Sequence, residues 1–217
     1  MSALEPAMRS LAFASCYVYA PCGACRVSAR SRSLCAMIKA PAPPLVPLYA
    51  RCVMRQARLM PILAEFFQAV DVLVPVPACE PSSPSREYLP ARLADAFVAE
   101  GLARSAWKGL CRVSAVPKSA TSPPGRRPTV WAHYDSLSVV SGPDLPADAH
   151  LLLIDDVVTK GRTLLAAAAR LREAFPQARI KAFALLRTLG FKDQIEDLLD
   201  PCVGRIGWHA GDAHRNP

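Results

Sequence analysis

The chain has 217 residues, 52% of them hydrophobic, and a formal net charge of +8 at pH 7. This length and apolar content can build a full core, and they fit one domain with an appendage or two small domains. No apolar run approaches the length of a membrane span, which excludes a membrane-spanning helix, and the basic balance favours anionic ligands, either phosphorylated metabolites or nucleic acid.

Residues 1–48 are predicted to form a small Cys-containing unit that ends in a Pro-rich linker. Four of the 8 cysteines lie here: Cys16, Cys22, Cys25 and Cys35. Four thiolates could make a tetrahedral zinc site around the Cys-x-x-Cys pair. A second such pair is missing, so a metal-free extension with buried thiols is the alternative. No secretory signal is convincing, and we expect a cytoplasmic protein with reduced thiols.

The next stretch of the chain alternates helix and strand patterns. Residues 49–69 have helical spacing, and Pro61 is expected to kink or restart the helix. A strand is predicted at 70–77, a helix at 90–104 and a further strand at 110–116. This alternation favours an α/β fold.

The first predicted strand leads into a loop that suits an anion. A loop at the carboxyl end of a strand can turn backbone N–H groups toward a diphosphate. Because Pro75 and Pro77 lack this donor, such contacts must come from Val76, Ala78 and Cys79.

Residues 117–149 form a long, irregular segment that is rich in proline. A loop of this length in a compact domain is usually functional or disordered. His133 and Tyr134 lie within it, and we interpret them as a partly packed aromatic turn.

The most informative stretch is residues 151–164. Four aliphatic residues, the pattern of a buried parallel strand, lead directly into Asp155 and Asp156. These acids therefore lie at a carboxyl strand end, where open α/β sheets bind ligands. The following turn, 159–163, opens an Ala-rich helix, and a helix N-terminus with free N–H groups is an anion site. The segment offers acceptors for sugar hydroxyls beside donors for a phosphate.

The remainder is predicted as a helix at 163–175, a strand at 179–186 and a short helix from Ile195 that ends at Pro201. The tail, with Trp208 and Asp212, is expected to be flexible or packed on the surface. The fold class is α/β, with a mainly parallel sheet flanked by helices over 49–217, preceded by the small Cys-containing extension.

Residues 151–163 resemble the PRPP-binding motif of the type I phosphoribosyltransferases (PRPP is phosphoribosyl pyrophosphate). The motif is four hydrophobic residues, two acids, two more hydrophobic residues and Thr-x-Gly-x-Thr. The resemblance implies that Asp155 and Asp156 hold the ribose hydroxyls in catalysis. It implies a phosphate loop made of Val158, Thr159, Lys160, Gly161, Arg162 and Thr163. Many members carry a second Thr where this chain has Lys160, which would add positive charge near the phosphate.

The same resemblance assigns roles outside the motif. The loop Val76, Pro77, Ala78 and Cys79 corresponds to the family's pyrophosphate loop. The segment 117–149 corresponds to a mobile hood loop, with Lys118, Arg126 and Arg127 as its basic residues. Mg²⁺ is the implied cofactor.

Three features together resemble the ComF family of competence-associated, phosphoribosyltransferase-like proteins. They are the Cys-bearing N-terminal unit, the Val-Pro-Val-Pro run at 74–77 and the motif that begins at Leu151. The resemblance implies Mg-dependent transfer of phosphoribosyl from PRPP to a nucleobase-like acceptor with release of pyrophosphate. The alternative is a non-catalytic PRPP or nucleotide sensor, or a DNA-uptake accessory. Nucleic acid and a second copy of the chain, as a homodimer, are further candidate partners.

Overall fold

The structure is a computed structural model that describes residues 10–40, 44–83, 87–117, 126–140, 145–190 and 195–217. Its helices are α1 (Arg26–Lys39), α2 (Leu45–Leu59), α3 (Pro61–Phe66), α4 (Leu89–Ala99), α5 (Val130–Asp135) and α6 (Arg162–Ala174). Its strands are β1 (Ser10–Tyr19), β2 (Val72–Pro75), β3 (Ser105–Ala106), β4 (Leu110–Arg112), β5 (Leu137–Val139), β6 (His150–Val158), β7 (Arg179–Thr188), β8 (Leu199–His209) and β9 (Asp212–Asn216). Within these ranges, every helix is too short or too polar to traverse a bilayer.

The main sheet has seven strands in the order β3-β2-β6-β7-β1-β8-β9. The five strands from β3 to β1 pair in parallel, and β8 and β9 extend the sheet in antiparallel pairing. The prediction of an α/β fold with a mainly parallel sheet flanked by helices is confirmed.

Strand β6 is apolar on both faces because each face carries a separate core. Leu151 and Leu153 pack in the cluster that contains α6. Leu152 and Ile154 pack in the opposite cluster, which contains residues of α1 to α4. A strand covered by helices on both sides needs an unbroken apolar run rather than an alternating one.

The strand order reverses between β2 and β6. From β2 the chain passes through α4 to β3 on one side, and from β6 it passes through α6 to β7 on the other. Helices α4 and α6 lie on opposite faces, since their apolar side chains belong to the two different core clusters. Such a reversal leaves a crevice at the carboxyl ends of the two strands, which is where open α/β sheets bind ligands.

The N-terminal segment differs from the prediction of a separate unit over residues 1–48. Strand β1 lies inside the main sheet, between β7 and β8. It pairs in parallel with β7 from Ala12 to Tyr19 and in antiparallel with β8. Because its backbone hydrogen bonds are made to strands near the C-terminus, this segment belongs to the same sheet as the rest of the chain.

The prediction of a short C-terminal helix is wrong. The short helix expected from Ile195 to Pro201 is absent from the described residues, and β8 already begins at Leu199 and runs through Pro201. The tail, expected to be flexible or packed on the surface, takes the packed form: a hairpin in which β8 pairs with β9 through the turn at Gly211. Backbone hydrogen bonds to β1 stabilise β8 as a strand, and they outweigh the spacing of apolar residues that favours a helix here.

The middle of the chain is more regular than its proline content indicates. Strand β4 covers only part of the predicted strand 110–116, and it pairs with β5 in a separate two-stranded sheet. Helix α5 and strand β5 lie within the segment 117–149 that is predicted to be irregular. The restart of the helix at Pro61 is confirmed, because this proline lies in the first turn of α3, where its missing N–H is not needed.

Candidate functional site

The carboxyl end of β6 projects beyond its neighbour β2. The last pair between the two strands joins Pro75 to Ile154, whereas β6 continues beside β7 as far as Val158. Asp155 and the residues after it therefore border the crevice on the β2 side. Two N–H groups of this projecting end are satisfied by carboxylates: Asp155 Oδ1 accepts from the N–H of Asp156 at 2.9 Å, and Asp156 Oδ1 accepts from the next N–H at 2.8 Å.

The two acids of the motif contact each other, but only one of them lines the cleft. A side-chain hydrogen bond between the two carboxyls is among the interactions that act on Asp155. Regular alternation ends after Ile154, since Val157 packs with the cluster of Ile154 and Val158 with that of Leu153. Asp155 lines a cleft at the start of α6, whereas Asp156 does not. The negative charge of Asp156 instead reaches Cys35 of α1, where it adds to the main effect of burial in raising the pKa of that thiol.

The Asp155 carboxyl is easily protonated. Burial raises its pKa well above the ordinary value, and the neighbouring charge of Asp156 raises it further. Hydrogen-bond donors that approach this carboxylate would favour its charged form and lower the pKa again. A ligand with hydroxyl groups would therefore stabilise the charged form of Asp155.

The phosphate loop ends at an uncapped helix N-terminus. Gly161 is the N-cap of α6 and has left-handed backbone torsions, with φ of 86°, and no side chain caps the helix. The N–H groups of the first turn have no acceptor within the helix and carry the positive end of the helix dipole. They open on a cleft of about 140 Å³ lined by Arg127, Asp155, Val157, Val158, Thr159, Lys160, Gly161, Arg162, Thr163 and Leu164. All the predicted phosphate-loop residues thus line one cleft together with Asp155.

The C-terminal hairpin holds this loop. Asp212 of β9 accepts hydrogen bonds from Arg162 Nε at 2.6 Å and from Lys160 Nζ at 3.1 Å. These bonds, first of all the one from Arg162, lower the pKa of Asp212 to about 2. Arg215 of the hairpin also donates to the carbonyl of Thr159 at 2.7 Å. Asp212 is thus shared by Lys160 and Arg162, so its single negative charge offsets only part of their positive charge near the loop.

The loop 76–79 follows β2, the strand beside β6, but only part of it faces outward. Val76 and Pro77 are buried, and the Val76 N–H donates to Ile154 O at 2.9 Å. The prediction that Val76 supplies an amide to a diphosphate is wrong, because this N–H continues the hydrogen bonding between β2 and β6. Ala78 is exposed and Cys79 is half-buried, so these two residues remain as amide donors.

The basic residues of the predicted hood loop separate in space. Arg127 lines the cleft, and Arg126 is exposed outside it. Lys118 lies outside the described residues. His133 and Tyr134, predicted as a turn, are buried in α5, with His133 Nε2 at 3.4 Å from the hydroxyl of Thr163.

The predicted zinc ligands do not come together. Cys16 and Cys35 are buried in the core cluster beside α1, and Cys22 is exposed. Cys25 caps α1, its sulfur accepting from the N–H of Ser28 at 3.3 Å. Burial raises the pKa of the Cys16 thiol to about 12, which disfavours the thiolate that binds a metal. In the part of the chain that the structure describes, no three His, Cys, Asp or Glu side chains are grouped so as to hold a metal ion.

Two residues near the crevice have no sequence signal of their own. Arg112 of β4 is buried and contacts the loop 76–79, and Asp212 binds the phosphate loop from the tail. An Arg in a short apolar strand and an Asp in a polar tail are both common, so only the tertiary contacts distinguish these two.

No protein-family model and no curated protein matches the chain. The resemblance to the type I phosphoribosyltransferases therefore rests on the residues themselves, above all 151–163, and on the position that this segment takes in the sheet.

Proposed function

We propose that the protein binds PRPP in this crevice and transfers its phosphoribosyl group to a nitrogenous acceptor, releasing pyrophosphate. One observation carries the proposal. Asp155 and the uncapped N-terminus of α6 line one cleft, and the loop 76–79 follows β2, the strand beside β6, where the strand order reverses.

The three parts match the three parts of PRPP. The N–H groups of the first turn of α6 bind the 5-phosphate, assisted by the hydroxyls of Thr159 and Thr163. Asp155 accepts from the ribose hydroxyls one turn away. Ala78 and Cys79 lie at the end of the neighbouring strand, where they meet the diphosphate on the first carbon of the sugar.

The carboxylates suit Mg²⁺ that arrives with the substrate. Mg²⁺ is commonly held by one or two carboxylates together with substrate phosphates, and keeps several waters. The described residues contain no group of three metal-ligating side chains, and Asp155 with Asp156 supplies the smaller set that such an ion needs. When bound, Mg²⁺ would neutralise negative charge on the diphosphate.

In the reaction, the bond between the first ribose carbon and the diphosphate oxygen breaks, the acceptor nitrogen bonds to that carbon, and its proton passes to the departing diphosphate. Positive charge develops on the sugar, and the carboxylate of Asp155 orients the ring through its hydroxyls. The diphosphate leaves with the bonding electrons, stabilised by N–H donors and nearby cations.

Turnover is tested with PRPP, Mg²⁺ and a panel of nucleobases, measuring pyrophosphate release. Asp155→Asn should abolish release, and Asp156→Asn should reduce it less, since only Asp155 lines the cleft. Asp148→Asn, an exposed acid before the opposite end of β6, is the matched control and should change nothing. Failure of PRPP to bind in calorimetry would exclude the proposed site.

A second candidate is a sensor or DNA-uptake accessory that binds the same ligand without turnover. The pairing of Lys160 and Arg162 with Asp212 favours it, because both cations are engaged before any ligand arrives. PRPP binding without pyrophosphate release from any base would support the sensor. A salt-dependent shift with single-stranded DNA would support the accessory.

A further inference from the structure

Three buried polar residues lie behind the crevice and take no part in the proposed binding of ribose or 5-phosphate. Arg112 and Ser136 are each 2% exposed and His133 is 4% exposed. They belong to β4 and to α5 with its C-terminal cap. Burial of polar groups is costly unless they are hydrogen-bonded, so the partners of these residues are informative.

The three residues form a continuous chain between the two loops of the site. Arg112 Nε donates to the carbonyl of Ala78 at 2.5 Å, and its terminal nitrogen donates to the Ser136 hydroxyl. Ser136 Oγ in turn donates to the carbonyl of His133 at 2.8 Å. The ring of His133 reaches the hydroxyl of Thr163, so a buried polar connection runs from the loop 76–79 to the first turn of α6.

The charge of Arg112 is not neutralised by an ion pair. Among the described residues, the ion pairs involve other cations, and the hydrogen bonds of the Arg112 side chain go to a carbonyl and a hydroxyl. A guanidinium stays protonated in proteins, so a buried positive charge lies against the loop, and the charge of Asp155 acts on it only through space. An anion in front of the loop would add a second, closer negative charge.

The bond to Ala78 also fixes the direction of a donor. The carbonyl of Ala78 and the N–H of Cys79 belong to one planar trans peptide and point in opposite directions. Because the carbonyl is held by Arg112, the N–H of Cys79 points away from the guanidinium. This N–H has no acceptor among the described residues, although the carbonyl of Cys79 accepts from Val116 at 2.9 Å.

We propose that Arg112 is a positioning residue for a diphosphate group. It orients the peptide between Ala78 and Cys79 and places a buried positive charge behind it. The inference rests on the proposed function, since it assigns the diphosphate of PRPP to this part of the crevice. It predicts that loss of Arg112 weakens binding of the diphosphate end without affecting the 5-phosphate end.

The test uses the full chain and two probes in calorimetry, inorganic pyrophosphate with Mg²⁺ and ribose 5-phosphate. Arg112→Met should weaken pyrophosphate binding by about ten-fold or more, the effect of a charge-assisted hydrogen bond, and leave ribose 5-phosphate within about two-fold. Ser136→Ala, which removes one neutral partner of Arg112, should weaken pyrophosphate by about three-fold. Arg179→Met removes an exposed Arg at the start of β7 and is the matched control.

The outcomes separate the inference from the proposed function. If Arg112→Met binds pyrophosphate as tightly as the wild type, the role of Arg112 is refuted. The proposed function is unaffected by that result as long as the wild type turns over PRPP. Equal loss of both probes shows a merely structural role and also overturns it. If Arg112→Met does not fold, unchanged pyrophosphate affinity in Ser136→Ala overturns it. Wild-type binding of pyrophosphate but not PRPP refutes the function and leaves Arg112 with its role, and binding of neither probe refutes both.

Discussion

Gly161 at the start of α6 is expected to tolerate no side chain, for two separable reasons. Its φ of 86° lies in the left-handed region, where an L-residue costs about 1–2 kcal/mol. A Cβ atom there would lie 2.6 Å from Ile206 Cδ1 in the hairpin strand β8. Relieving such an overpacked contact costs a further amount of about 1–3 kcal/mol. Gly161→Ala should therefore lower the free energy of unfolding by about 2–5 kcal/mol.

Gly101 offers a matched control within the same chain. Its φ of 81° is also left-handed, but a Cβ atom built there meets nothing within 4 Å. Gly101→Ala should show only the backbone cost of about 1–2 kcal/mol. The difference between the two variants measures the contact between the phosphate loop and the hairpin.

The assay is urea unfolding of both variants, with thermal melting as a second readout. For a chain of this size, about 1 kcal/mol corresponds to about 2–4 °C in melting temperature. Ile206→Ala, which removes all three side-chain atoms that such a Cβ would approach within 3 Å, should destabilise the wild type but cost less in the Gly161→Ala background. If Gly161→Ala is no more destabilised than Gly101→Ala, the hairpin does not pack on the phosphate loop as described.

Two further predictions concern pH. Burial, with Arg112 and Arg162 nearby, lowers the pKa of His133 from 6.5 to about 4. The neutral His133 ring therefore contributes fully to the free energy of unfolding above pH 6.5, and about 3 kcal/mol of this stability is lost as the pH falls from 6.5 to about 4. His133→Gln should remove this loss when urea unfolding is compared at pH 7 and pH 4. An equal pH dependence in the variant would contradict the burial of this ring. Asp212, whose pKa is lowered to about 2 chiefly by its hydrogen bond from Arg162, contributes stability above its unfolded value near 4. Because its side chain is 30% exposed, we expect Asp212→Asn to cost about 1 kcal/mol at pH 7 and less at pH 3, and equal costs would count against the ion pair.

The segment 151–164 could be predicted because its signals are local. A strand buried on both faces must be apolar throughout, and the helix after it begins at a glycine whose conformation few other residues adopt. Strand β1 is apolar too, but its partners β7 and β8 lie more than a hundred residues away in the sequence. Nothing in residues 10–19 alone identifies those partners, so the local pattern of cysteines indicates a separate unit instead.

The candidate site likewise combines residues with a local sequence signal and residues that only long-range contacts bring to it. The motif locates Asp155 and the phosphate loop, because both belong to one strand-turn-helix unit. Arg112 and Asp212 reach the site through contacts 34 and 50 residues apart in the sequence. Such contacts depend on where β4 and β9 are placed by the fold, and the residues themselves carry no periodic or motif signal.

The chemistry of the cleft favours a phosphorylated sugar over a DNA strand. Asp155 lies in the same cleft as the N-terminus of α6, and two of the nearby cations are already paired with Asp212. A ligand that offers only phosphates would bring negative charge against the Asp155 carboxylate, which burial and Asp156 already make costly to ionise. The deoxyribose of DNA has no 2-hydroxyl, and its 3-oxygen is esterified, so it offers no donors to that carboxylate. A ribose 5-phosphate unit brings the anion to the helix and two hydroxyl donors to the acid, and this satisfies both halves of the cleft at once.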